Sequence, residues 1–93
     1  MLKVEALVKE IIDSLAANRS VAVEKARLLI ELTSTSEDKK LHAQSLNLMV
    51  RANEQFGNYS PEGIVYLDQL IDFAHENQLV NELLVAYNFK ITH

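Results

Sequence analysis

The stretch AQSLNLMVRANEQFGNYSPEGIVYLDQLIDF, residues Ala43–Phe73, decides the fold. It reads as one helical hairpin. Apolar residues recur at helical spacing from Leu41 to Phe56, Gly57-Asn58-Tyr59 makes the turn, and a second periodic run goes from Ile64 to Ala74. The hairpin has echoes at a distance of 41 residues on both sides: Leu29 falls on Leu70, Ile30 on Ile71, Leu32 on Phe73, Asn47 on Asn88, Leu7 on Leu48 and Leu15 on Phe56. A two-helix unit recurring at a fixed period is the signature of a stacked helical repeat.

Working outward, the remaining chain is also helical in pattern. Leu2–Ala17 carries Val4, Leu7, Val8, Ile11, Ile12 and Leu15 on one face. Asn18-Arg19-Ser20 is a turn, with Asn18 or Ser20 as the cap of a second helix whose stripe is Ala22, Ala26, Leu29 and Thr33. The cluster Thr33-Ser34-Thr35-Ser36 ends that helix, because its hydroxyls compete for backbone groups. Ser34 followed by Glu37 has capping-box spacing for a third helix running to about Phe56. That helix has two apolar stripes, Leu41, Leu48, Ala52 and Phe56, and Ala43, Leu46 and Val50, as expected of an inner helix packed on two sides. Gly57 is placed to end it in the left-handed conformation. Ser60-Pro61 starts the fourth helix, and Gly63 in its first turn reads as a site of close approach by helix three. Asn77 marks a break before a fifth helix over roughly Gln78–Thr92. The burial expected from these stripes covers Leu7, Ile11, Leu29, Leu32, Leu48, Ala52, Leu67, Leu70, Ile71 and Leu83.

Composition agrees with an all-α chain. Its 93 residues make at most one domain, and its two glycines and single proline all lie near one turn. There is no cysteine, so no disulfide framework and no thiolate site; a reducing compartment, and hence the cytoplasm, is expected. Charges at Lys3, Glu5, Lys9, Glu10 and Asp13 interrupt Met1–Ala17, which does not read as a secretory leader, and no uncharged apolar run is long enough to span a membrane. Net charge is −4, distributed unevenly: residues 1–51 hold eight Lys/Arg against seven Asp/Glu, while residues 52–93 hold six Asp/Glu against Lys90 alone. That pattern argues against nucleic acid as a partner, since phosphate binding needs a basic stripe.

Residues Ala43-Gln44-Ser45-Leu46-Asn47-Leu48-Met49, then Gly57-Asn58-Tyr59, Gly63-Ile64, Leu67, Leu70 and Ala74 resemble a tetratricopeptide repeat. In that family a first helix ends at a Gly-Asp/Asn-Tyr turn and a small residue opens the packing face of the second helix. Gly63 holds that place here, with one residue inserted before it. The 41-residue period is similar to the extended repeats of bacterial signalling proteins. Val50, Asn53 and Leu46 depart from the pattern at positions where the family has small, aromatic and tryptophan residues, and no proline closes the second helix. The resemblance implies a right-handed stack of about five antiparallel helices in a single domain 1–93: a degenerate repeat over 1–35, the best repeat over 36–77 and a final helix over 78–93. It also implies a concave groove lined by polar positions of each first helix, here Gln44, Asn47, Arg51, Glu54 and Gln55, joined through the 41-residue echo by Lys3, Glu10, Asp13 and Asn88.

Catalytic and metal chemistry finds little footing. Asp68, Asp72, His75 and Glu76 share one helix face, but without ligands from a second helix this is an acidic face and not a metal site. His42 reads as a surface or half-buried residue, and no glycine-rich loop cradles phosphate. The expectation is therefore a non-enzymatic, cofactor-free interaction module with a protein or peptide partner. By resemblance, its setting is the sensory or regulatory segment of a bacterial signalling protein, ahead of a diguanylate cyclase or a DNA-binding output domain. The alternative is a stand-alone helical adaptor or inhibitor, phage-encoded in one version, acting as a dimer. Helix five bears on both. Leu79, Leu83, Ala86 and Phe89 make one stripe and Val80, Leu84, Tyr87 and Ile91 another, and helix four can cover only one of them. The second is expected to meet either another copy of the chain or a downstream domain.

Overall fold

Capping chemistry places the helix boundaries. The computed structural model describes residues 2–55 and 58–91, with side chains within 4–54 and 60–88. Among these, five helices follow one another: α1 Leu2–Ala17, α2 Arg19–Thr33, α3 Lys39–Ala52, α4 Pro61–Glu76 and α5 Val80–Ile91. Between α3 and α4 lies a minimal antiparallel ladder of β1 Glu54–Gln55 and β2 Asn58–Tyr59, pairing Glu54 with Tyr59 and Gln55 with Asn58. Asn18 caps α2, its side chain accepting from the Val21 N–H. Ser60 caps α4, accepting from the Gly63 N–H at 3.1 Å, with Pro61 at the first helical position where its missing N–H costs nothing.

Two boundaries differ from the sequence reading. The N-cap of α3 is Asp38, whose Oδ1 accepts from the Leu41 N–H at 3.1 Å, and not Ser34. The Ser34 hydroxyl instead donates back to the Glu31 carbonyl at the end of α2, and Ser36 Oγ accepts from the Asp38 N–H. The hydroxyl cluster thus serves the old helix and the turn, leaving Asp38 to open the new one. At its other end α3 stops at Ala52, not Phe56. The Asn53 N–H bonds back to the Met49 and Val50 carbonyls, and its Nδ2 donates to Met49 O at 2.8 Å. Asn53 then closes the corner: Ser60 Oγ donates to Asn53 Oδ1 at 2.8 Å and Ser60 N to Asn53 O at 3.1 Å. Phe56 and Gly57, given roles at this turn by the sequence pattern, lie outside the described residues.

The turn after α4 is a Schellman motif. Leu79 N–H bonds to Ala74 O at 2.9 Å and Gln78 N–H to His75 O at 3.3 Å, with Asn77 as C-cap and Gln78 at φ 57°. Gln78 and Leu79 therefore belong to the turn, and α5 begins at Val80.

Consecutive helices pack side by side, and α3 also touches both α1 and α5. The α2–α3 pair is antiparallel: Arg19 at the start of α2 reaches Arg51 near the end of α3, while Thr33 at the end of α2 meets His42 near the start of α3. The odd-numbered helices form one layer. On the other side, Arg27 of α2 and Glu62 of α4 join in an ion pair. The smallest dimension, 18 Å against 33 and 31 Å, is that of two helix layers.

Two core clusters share α3. One holds Leu7, Ile11, Ala22, Ala26, Leu29, Leu48, Met49 and Ala52; the other holds Ala43, Leu46, Val50, Leu67, Leu70 and Ala86. Ile30 and Tyr66 pack against both. The two-sided reading of α3 thus holds, with Met49 added to the first side and Leu41 only half-buried. Gly63 is buried, as a close helix approach requires. Ile71 and Leu83 are half-buried, and Leu32 is 40% exposed, contrary to its expected burial. Leu32 lies off the Ala22, Ala26, Leu29, Thr33 stripe, which α2 turns fully inward.

Candidate functional site

An open groove of about 650 Å³ runs along the layer of odd-numbered helices. Its apolar lining comes from all three: Ile12 and Leu15 of α1, Leu41 and Leu48 of α3, and Val85 of α5. The polar lining is Gln44, Asn47 and Arg51 along α3, Asn81 and Glu82 at the start of α5, and Asp38 and Lys40 at the start of α3. The local reason is the phase of α3. Leu46, Met49 and Val50 are spent on the two cores, so residues 40, 44, 47 and 51 fall on the remaining face.

Arg51 is held in place by its neighbours. Its Nε donates to Asn47 Oδ1 at 3.0 Å, one helical turn back, and its carbonyl accepts from Arg19 Nη1 at 2.8 Å. The second contact lets a cation from α2 satisfy a carbonyl in the last turn of α3, where the helix dipole is negative. Asp38 spends one carboxylate oxygen on the Leu41 N–H. With Asp38 and Glu82 set against Lys40 and Arg51, the rim has no excess of either charge.

Of the nine groove positions expected from the sequence, Gln44, Asn47 and Arg51 line this groove. Glu54 and Gln55 do not continue α3. They lie on β1, beyond the helix end that Asn53 imposes, and the Gln55 side chain is outside the described residues. Asn88 is exposed on α5 but is not part of the lining. Neither are Glu10, which pairs with Lys25 of α2 at 3.1 Å, and Asp13; the Lys3 side chain lies outside the described residues. On α5, Val80, Leu84 and Tyr87 are exposed while Leu79 and Leu83 are half-buried and Ala86 is buried; the Ile91 side chain lies outside the described residues. Ile12, Leu15, Asn81, Glu82 and Val85 were not singled out by sequence for a groove. The signal available was the 41-residue echo between α3 and α5, but it fixed on Asn88 in place of the first turn of α5.

A second polar group is internal. Thr33 and Ser45 are buried, at 1% and 0% exposure, and His42 beside them is half-buried. Thr33 Oγ1 lies 2.9 Å from Leu29 O, 2.9 Å from His42 Nδ1 and 3.1 Å from Ser45 Oγ, and Ser45 Oγ donates to His42 O at 2.5 Å. The His42 ring meets Phe73 of α4 edge-on, centroids 4.8 Å apart. Burial, reinforced by the charge of Lys39, holds the His42 pKa below its ordinary value. The serine hydroxyl is directed at the His42 carbonyl and the threonine hydroxyl reaches the Leu29 carbonyl, so the trio satisfies buried polar atoms at the α2–α3 junction.

On the outer face, Arg27 donates to Glu62, which raises the Arg27 pKa above its ordinary value. Asp68, Asp72, His75 and Glu76 are exposed along α4, and among the described residues no three such groups are gathered to hold a metal ion. Among the same residues, no helix is long and apolar enough to cross a membrane. No protein family, curated protein or solved structure shows a significant match to this chain.

Proposed function

We propose that this chain is a non-enzymatic protein–protein interaction module of tetratricopeptide-like build, which binds a short amphipathic segment of a partner protein in the groove between α1, α3 and α5. The observation that carries this reading is the groove itself. An apolar floor drawn from three helices, edged by the polar ladder Gln44, Asn47 and Arg51, is a surface for seating apolar side chains while a rim reads their neighbours. The balanced rim favours a segment of mixed charge over a strongly acidic or basic one.

The right-handed stacking and the setting, a regulatory segment of a bacterial signalling protein, rest on the resemblance of Ala43–Ala74 to an extended repeat. Layering of the odd-numbered helices supports that reading, because stacked helical repeats present their first helices on one concave side.

Selection of peptides from a displayed random library, followed by amide chemical-shift mapping, tests the site. Selected peptides are expected to shift the amides of Leu41, Gln44, Asn47 and Val85. Asn47→Ala and Arg51→Ala are expected to weaken binding about tenfold or more, the loss of a charge-assisted contact, with the melting temperature nearly unchanged. Shifts confined to other faces, or binding unchanged in both variants, would remove the groove from consideration.

A further inference from the structure

The outward face of α5 is an exposed apolar stripe with a regular spacing. Val80 is 65% exposed, Leu84 62% and Tyr87 44%, at intervals of four and three residues, which is the seam spacing of paired helices. The sequence continues the seam to Ile91, four positions further on. Among the other exposed apolar side chains, Leu28 and Leu32 share a face of α2, but Glu24 four positions before Leu28 and Glu31 three after it put charge on that face; Ile64 and Val65 are adjacent in sequence and so diverge around α4, and Ile12 belongs to the groove.

We infer that this face pairs with the same face of a second copy of the chain, α5 against α5 in antiparallel orientation. Three observations select a second copy. First, the seam is uncharged, and so are its polar neighbours Asn81 and Asn88; Glu82, the one charged residue in residues 80–88, lies on the groove side. A twofold contact sets each residue against the same chemistry, so only an uncharged stripe avoids like-charge repulsion. The rest of the C-terminal half offers carboxylates at Glu54, Glu62, Asp68, Asp72 and Glu76, which would oppose self-pairing there. Second, reversing the chain maps positions 80, 84, 87 and 91 onto themselves about a centre between 85 and 86. Antiparallel pairing therefore sets Leu84 against Tyr87 of the other copy, larger side chains at the centre and Val80 at the edge. Third, the three exposed side chains present on the order of 300 Å² of apolar surface, at the size of the largest patch on a typical monomer. Doubled, this is roughly 600 Å² before flanking residues are added, the size of a weak, transient interface, so a concentration-dependent dimer is expected. The contact leaves Glu82 and Val85 facing the groove, because both point away from the seam, while Asn81 lies on the border between the two.

Sedimentation velocity of the 93-residue chain across a micromolar concentration series tests the pairing. The sedimentation coefficient is expected to rise with concentration toward that of a dimer. Leu84→Glu and Tyr87→Glu are each expected to return a monomer with unchanged helical circular dichroism. Because the chain has no cysteine, orientation can be read by cross-linking even if a glutamate variant fails to fold. Mixing a Leu84→Cys chain with a Tyr87→Cys chain under mild oxidation is expected to give the mixed disulfide in several-fold excess over either self-linked species. A monomer throughout the series, as when another protein or further chain covers this face, overturns the proposal. So does a dimer that persists in both glutamate variants, or a random or self-linked disulfide distribution.

Discussion

Gln78 carries a conformation that its side chain does not favour. Its φ of 57° is in the left-handed region, where the Cβ of any residue but glycine crowds the following carbonyl. The Schellman hydrogen bonds of Leu79 and Gln78 hold it there, and Gln78 is exposed, so its side chain returns little packing. Gln78→Gly is expected to stabilise the chain by about 0.5–1 kcal/mol, the relief of strain exceeding the added freedom of the unfolded chain. Thermal melting should show a rise of a few degrees; an unchanged or lower midpoint would mean the site is not strained. His42 makes a second residue-scale prediction. Its folded pKa lies below the unfolded value of about 6.5, so the folded state takes up its proton less readily than the unfolded chain. Stability from neutral His42 is complete above that unfolded value and is lost as pH falls through the lower folded one. The melting midpoint of the wild type should fall more steeply between about pH 7 and pH 5 than that of His42→Gln. Parallel curves would show that His42 titrates as it does in the unfolded chain.

At the scale of elements, short polar side chains set the boundaries while apolar phase sets the faces. Asn53 is the clearest case. A periodic pattern that carries on to Phe56 is cut at Ala52, because the Asn53 amide turns back onto Met49 O and its carbonyl groups bind Ser60. Helix α4 is then fixed by Gly63, Leu67, Leu70 and Ala74, which all turn toward the core. Leu70 is wholly buried in the cluster shared by α3, α4 and α5. Leu70→Ala is expected to cost roughly 2–5 kcal/mol in chemical denaturation, a large fraction of the stability of a domain this small. A loss below about 1 kcal/mol would show that the cluster collapses around the missing methyl groups.

Across the whole molecule, α3 is the shared wall of two small cores. Neither core is large, and Ile30 and Tyr66 knit them together. Layering follows from this sharing: with α3 touching α1 and α5, the three odd-numbered helices lie side by side and the groove is the valley along them. The uncovered seam of α5 follows too, since α4 takes the side of α5 that carries Leu79, Leu83 and Ala86.

Helix count, the extent of α1, the cap at Ser60, the pair Asn18 or Ser20 from which α2 takes Asn18, both faces of α3 and the split of α5 into a covered and an uncovered stripe were legible in the amino-acid order, because periodicity and caps act within a few residues. Gln44, Asn47 and Arg51 were legible as one edge for the same reason: they share a face of a single helix. Only the tertiary structure decided what those local choices meet. The stop at Asn53 with its return bond to Ser60 and the Thr33–His42–Ser45 cluster each depend on partners from a neighbouring element or a following turn. The far walls of the groove, Ile12 and Leu15 on one side and Asn81, Glu82 and Val85 on the other, lie about thirty residues away along the chain from the α3 positions they face. Helical periodicity gives a residue its direction about its own axis, but the distance and rotation between two helices come from how their side chains interlock, and no spacing along one strand of sequence encodes that.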